Sequence, residues 1–227
     1  MKDVVANARS LVGRNLNRIY SRRNSQRFVA AVVAARPHGR VAFGVGLHPL
    51  PGWINTDVTR SIGMFLDVTR PWPEPCHSVS HIYAEHVIEH FPLDVGRRVL
   101  RNCESGLVPG GRIRLATPDL ERAARAYLEK SDVGIRHLEH YRPTERVTEH
   151  PVDLIRTLFA YDDHWRGYIY DFDSIALELE RAGFIDILRV DPGESDDPAF
   201  RGLESRTDGS FFHMQLVVEA STPTRSA

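Results

Sequence analysis

The apolar run Val41-Ala42-Phe43 ends in Gly44-Val45-Gly46, a strand running into a Gly-x-Gly turn. Glycines at such a turn let the chain bend sharply and bring backbone close to a ligand with no β-carbon in the way. Eleven residues past Gly46, Asp57 closes a second apolar stretch, and ten further on Asp67 closes a third. A carboxylate at a strand end can accept hydrogen bonds from both hydroxyls of a ribose. Taken singly, these are turn glycines and loop aspartates. Their order and spacing bring Gly44–Gly46, Asp57 and Asp67 to one edge of a parallel sheet, which describes an adenosine site at its carboxyl end.

Proton-accepting groups are plentiful downstream: His86, Asp119, His137, Glu139, His140, His150 and His164. Most of them must be bystanders, because a histidine on a loop is more often solvated than catalytic. His86-x-x-Glu89-His90 also matches the H-x-x-E-H pattern in which two histidines one helical turn apart bind zinc. That pattern needs a continuous helix, whereas this segment follows an apolar strand and meets Pro92 two residues later. No metal ligand is therefore assigned. Glu89 and His90 are expected to brace a loop, with His86 nearer a substrate. Tyr141, Phe159, Tyr161, Trp165, Tyr168 and Tyr170 are interspersed with Asp162, Asp163 and Arg166. Rings beside carboxylates and arginines suit a ligand with apolar C–H faces and many hydroxyls, such as a sugar; equally, the rings can simply pin a lid to the core.

The elements that must position these groups alternate in the βαβ manner. Strands are expected at Arg40–Phe43, Trp53–Asp57, Met64–Asp67, Ser80–Glu85, Arg112–Thr117, Ile185–Val190 and Phe212–Glu219, and helices at Pro92–Leu107, Asp119–Lys130 and Asp173–Gly183. The reading is an α/β, Rossmann-like, doubly wound seven-stranded sheet over residues 39–220. Within it, the polar segment 131–170 is long enough to be an acceptor-binding insertion or lid. Residues 1–38 read as an N-terminal extension of two helices, and 221–227 as a disordered tail. The first helix carries Arg14, Arg18 and Arg22 on one stripe and apolar residues on another, a surface that suits the domain or a second copy of the chain.

Five stretches taken in order, Gly44-Val45-Gly46, Pro51-Gly52-Trp53-Ile54-Asn55-Thr56-Asp57, Ile82-Tyr83-Ala84-Glu85-His86-Val87-Ile88-Glu89-His90, Val108-Pro109-Gly110-Gly111 and Thr117-Pro118-Asp119-Leu120, resemble the motifs of small class I S-adenosylmethionine-dependent methyltransferases. The resemblance resumes at His164, Tyr170-Asp171 and Ala182-Gly183-Phe184. It implies the class I methyltransferase fold, with the last strand inserted antiparallel, and S-adenosylmethionine as cofactor. It implies that Gly44 and Gly46 pass the methionine moiety, Asp57 holds the ribose, Leu66 and Asp67 frame the adenine, and Glu85 and His86 face the methyl group. Ser80 stands where many relatives have Asp, and Val45 where relatives often carry Cys. The interval between the first two strands is short, so the usual helix must be vestigial or replaced by a turn at Pro49–Gly52. Relatives include sugar O-methyltransferases, some of methylated mannose polysaccharide assembly, which favours a saccharide hydroxyl. The catalytic candidates are then His86, His164 and Asp119, with Tyr141, Trp165 and Tyr170 as the acceptor wall. A divalent ion such as Mg²⁺ fits this chemistry, though no ligand spacing announces one. A methyltransferase for another small metabolite and a catalytically silent protein of the same fold remain open readings.

Composition sets the outer bounds. At 227 residues, 42% hydrophobic and 26% charged, the chain can bury a full core without metal or disulfide staples. Its longest uninterrupted apolar run, Phe28 to Ala35, is far below the roughly 20 residues of a membrane span. Residues 1–40 hold nine Lys or Arg against the single acid Asp3, so a chain of net charge −1 carries −9 in the remainder. An acidic body argues against nucleic acid as partner. Two cysteines make no disulfide framework and no secretory leader is evident, so a cytoplasmic protein is expected.

Overall fold

The computed structural model describes residues 25–58, 63–73, 77–141, 149–160, 164–205 and 213–224. The first expected helix, with its arginine stripe and dimer surface, lies outside these, as do Cys76, Tyr161, Asp162 and Asp163. Seven strands form one sheet: β1 (Gly39–Phe43), β2 (Ile54–Asp57), β3 (Met64–Phe65), β4 (Val79–Glu85), β5 (Leu107–Pro118), β6 (Ile185–Val190) and β7 (Gln215–Ser221). Their order is β3-β2-β1-β4-β5-β7-β6. β7 runs antiparallel to both neighbours, and the other pairings are parallel. This is the class I methyltransferase fold. As expected, no helix intervenes between β1 and β2, and turns at 46–47 and 51–52 make the connection. The Asn55 side chain holds that loop, accepting from Leu50 N and donating to the Leu50 and Trp53 carbonyls.

Period-two alternation gives the sheet two unlike faces. Val41 and Phe43 of β1, Ile82 and Ala84 of β4, Ile113 and Leu115 of β5, and Leu216 and Val218 of β7 form the main core. Three helices cover them: α1 (residues 25–35), α2 (Leu93–Gly106) and α6 (Phe172–Ala182). In α2 the buried positions Gly96, Val99, Leu100, Cys103 and Gly106 recur at helical spacing. α6 starts at a capping box between Asp171 and Ser174 and ends at Gly183, which takes the left-handed conformation. Phe28 of α1 meets Trp72 edge-on, the centroids 5.9 Å apart. The opposite face carries Ala42, Tyr83, Arg112, Arg114 and Glu219 beneath a helix-free strap, residues 191–205, between β6 and β7.

The segment expected as a polar lid is helical for much of its length. α3 (Leu120–Glu129) is followed by α4 (Asp132–Tyr141) and α5 (Asp153–Ala160), then a 3₁₀ turn at His164–Arg166. Leu138, Leu154 and Leu158 close with Ala123, Ala126 and Met214 into a second, smaller core. Polar residues on the outward faces mask this apolar stripe in the sequence. Among the described residues, no helix is long and apolar enough to cross a membrane.

Candidate active site

Gly44 and Gly46 both adopt positive φ, 66° and 51°, at the carboxyl end of β1. A β-carbon on Gly44 would strike the Val87 side chain, whereas one on Gly46 would meet nothing within 4 Å. Gly46 therefore borders open space that its missing side chain leaves clear. Its N–H donates to Asp57 Oδ2 at 3.1 Å, which ties the glycine turn to the end of β2. A cleft of about 260 Å³ opens here, lined by Phe43, Gly44, Val45, Gly46, His48 and Leu50 from the first loop. Tyr83, Glu85 and His86 from the end of β4, and Leu203 and Ser205 from the strap, complete it.

His86 has positive φ, 53°, and its backbone N–H donates to the Ala116 carbonyl. Nδ1 of its ring stands 3.0 Å from Oε1 of Glu89, whose side chain is wholly buried. Thr117 Oγ1 donates to the other oxygen of Glu89 at 3.2 Å. Burial pushes the Glu89 carboxyl up, but its contact with His86 outweighs this and holds it below the usual carboxylate range. The approach is a charge contact and not an aligned hydrogen bond, since Glu89 Oε1 has no such partner among the described residues. Nε2 is buried with no hydrogen-bond partner among the described residues. Glu85 accepts from Ser205, from N at 3.0 Å and from Oγ at 2.7 Å, so the strap ends on the cleft.

Among the described side chains, the other expected site residues do not line this cleft, although Leu66 N donates to the Asp57 carbonyl at 3.3 Å. Leu66 is buried in the main core, and Asp67 is engaged locally by Thr69 N, Thr69 Oγ1 and Arg70 Nε. Asp119 is buried, caps α3 through Arg122 N and is paired with the Arg189 and Arg122 guanidiniums. His164 is buried beside His90, with ring centroids 4.7 Å apart, and is not in the cleft. Tyr170 is fully buried in the main core, against Gly96 of α2, where burial pushes its phenol up. Trp165 is 62% exposed beneath the Arg166 guanidinium. The side chain of Tyr141 lies outside the described residues. Of the expected wall of Tyr141, Trp165 and Tyr170, Tyr170 is thus claimed by the apolar core.

Sequence reasoning missed Tyr83, Leu203 and Ser205. Tyr83 reads as one more apolar strand residue, and the strap has no periodicity to mark it. The one available signal was Arg112-Ile113-Arg114-Leu115, which alternates charge with apolar residues in a strand.

No family model matches the sequence, and no curated protein does. Among solved structures, the chain is similar to the DszA carbon methyltransferase (13% identity, TM-score 0.49, 88% of this chain and 52% of that one). It is similar to the CurJ carbon methyltransferase (16%, 0.48, 84% and 50%) and to the S-adenosylmethionine-dependent methyltransferase SibL in its apo form (14%, 0.48, 90% and 56%). The chain spans about half the length of these structures.

Proposed function

We propose that this chain is an S-adenosylmethionine-dependent methyltransferase acting on a hydroxyl group, with a saccharide or related polyol as acceptor. The carrying observation is the convergence of Gly44–Gly46, Asp57 and the His86–Glu89 pair at the carboxyl edge of β1, β2 and β4. The open space at Gly46 fits a cofactor that needs close backbone approach. When bound, S-adenosylmethionine supplies a methyl group on a positively charged sulfur, open to in-line displacement. Gly44 and Gly46 would pass its methionine moiety, Asp57 would hold its ribose, and Glu85 would lie alongside. His86 Nε2 accepts the proton of the attacking hydroxyl while the Glu89 carboxylate beside Nδ1 stabilises the imidazolium that forms. Exposed Trp165 and half-exposed Tyr168 offer rings to the C–H faces of an acceptor.

The test begins with calorimetric binding of S-adenosylhomocysteine, followed by labelled methyl transfer to a panel of saccharides, other alcohols and amines. Binding with label on a saccharide hydroxyl is the expected result. Label on an amine would replace the acceptor class, and absence of binding would make the chain a non-catalytic protein of this fold. His86→Ala should lower kcat by roughly 10²–10⁴ while leaving S-adenosylhomocysteine affinity nearly intact.

A further inference from the structure

Behind His86, the 3₁₀ turn Ile88–His90 meets the second 3₁₀ turn, His164–Arg166. The two are held together by backbone: Tyr168 N donates to the Glu89 carbonyl at 3.0 Å, and a β-carbon at Gly167 would run into that same oxygen. This close approach stacks Glu89, His90 and His164 so that one ligand atom from each lies within 4.8 Å of the others. The His86-x-x-Glu89-His90 zinc pattern assigns no ligand in the sequence, for want of a continuous helix; the structure pairs His90 with His164, while His86 lines the cleft.

We infer that Glu89, His90 and His164 form a binding site for a divalent first-row transition metal ion, with Zn²⁺ as the leading occupant. Two imidazoles and one carboxylate are the donor set of such ions, whereas Mg²⁺ and Ca²⁺ favour oxygen alone. The second ring nitrogen of His164 is already prepared. His164 Nδ1 lies 2.8 Å from the Leu158 carbonyl, which can only accept, so Nδ1 carries the hydrogen and Nε2 the lone pair. A ligating histidine almost always has such an outer partner. Glu89 adds an independent sign. Its side chain is completely buried, yet Oε1 has no aligned hydrogen-bond partner among the described residues, His86 Nδ1 being near at 3.0 Å. A carboxylate offers about four lone-pair directions, so Glu89 can ligate and keep its contacts with His86 and Thr117. Bond lengths of about 2.0–2.2 Å require the three donors to draw closer, and half-buried His90 is the ligand free to swing. Three protein ligands leave a position for water or an acceptor oxygen.

The site does not depend on the methyl-transfer reading, and its test reads metal alone. The full chain is titrated with Zn²⁺ by calorimetry and with Co²⁺ by its visible absorption. One equivalent should bind, and His90→Asn should weaken binding by at least about a hundredfold, beyond the 10–100-fold that loss of an outer partner costs. His90 is only half-buried, so this variant keeps the fold where His164→Asn would strain it. His38→Asn, at an exposed histidine far along the chain, should bind as the unaltered protein does. The proposal is overturned if the chain takes up neither ion, if His90→Asn binds with unchanged affinity, or if His86→Gln abolishes binding while His90→Asn does not.

Discussion

The two faces of the sheet are held by different physics. Under α1, α2 and α6 the contact is apolar throughout, with Ile82, Ile113, Leu115, Leu100 and Leu179 all at or near zero exposure. Under the strap the contact is largely charge. Arg114, also at zero exposure, pairs with Glu204 of the strap and with Glu219 of β7 and donates to the Glu194 carbonyl. Arg112 and His81 reach Asp197, and the Phe200 ring stacks on Trp53. Burial of apolar area is tolerant of small shifts, while a buried ion network holds only while every member is present. The robust face carries no cleft residue from its helices. The brittle face ends in Leu203 and Ser205, at the candidate active site.

Breaking the network should have the largest effect. Arg114→Leu leaves the buried carboxylate of Glu204 without its cation and Glu219 with Arg112 alone, which costs about 3–5 kcal/mol. Denaturant unfolding would measure it, and S-adenosylhomocysteine binding should weaken in parallel because the strap borders the cleft. Replacing Arg114, Glu204 and Glu219 together by apolar residues of similar volume should recover much of the stability, with Arg112 keeping Asp197 as its partner. A loss under about 1 kcal/mol for Arg114→Leu would mean that water already reaches the network.

On the other face, Ile82→Ala removes a fully buried side chain from the centre of the core and should cost about 2–5 kcal/mol. The comparison is sharpened by binding. Ile82→Ala should leave S-adenosylhomocysteine affinity unchanged in the folded protein, and a parallel loss would show that the faces are not independent. Smaller again in free energy is Asp57→Ala, which removes a charged acceptor worth about 1.5–3 kcal/mol. Cofactor affinity should fall at least tenfold by calorimetry. Unchanged affinity would place the ribose elsewhere.

Much of the apolar face was legible in the sequence. Short runs such as Arg40–Phe43 and Ile185–Val190 gave strand positions to within a residue or two, and Gly44, Gly46 and Asp57 meet where their spacing places them. These signals are local, since a positive-φ glycine or a period-two strand is written within a few residues. The acceptor side was less legible because its assignments depended on partners distant in sequence. Tyr170 and Tyr168 are two residues apart, but the main core claims only Tyr170 as fully buried. Asp119 reads as a free base until Arg189, seventy residues away, is seen beside it. The strap escaped notice for the same reason, as its hold on the sheet comes from the pairing of Glu204 with Arg114.

The smallest effect concerns acid, and it separates the faces by their tryptophans. Burial pushes the Asp197 carboxyl up, but the Ala199 N–H, His81 and Arg112 together hold it below the usual carboxylate range. A group whose folded pKa is depressed contributes stability that is fully present above its unfolded value, about 3.9, and is lost as pH falls through the folded value. Asp197 protonation should therefore loosen the strap below about pH 4. Glu178, bound by Arg97 and Arg181, is depressed too, mainly through its hydrogen bond from Arg97. It sits on α6, however, above a core whose titratable members, Cys103 and Tyr170, are pushed up by burial and stay protonated in acid. Trp53 stacks on Phe200 of the strap, and Trp72 packs against Phe28 on the helix face. Two variants, each retaining only one of these tryptophans, should show fluorescence transitions at different acidity, with Trp53 changing at the higher pH. Coincident transitions, or Trp72 changing first, would show that the charged strap is no weaker in acid than the apolar face.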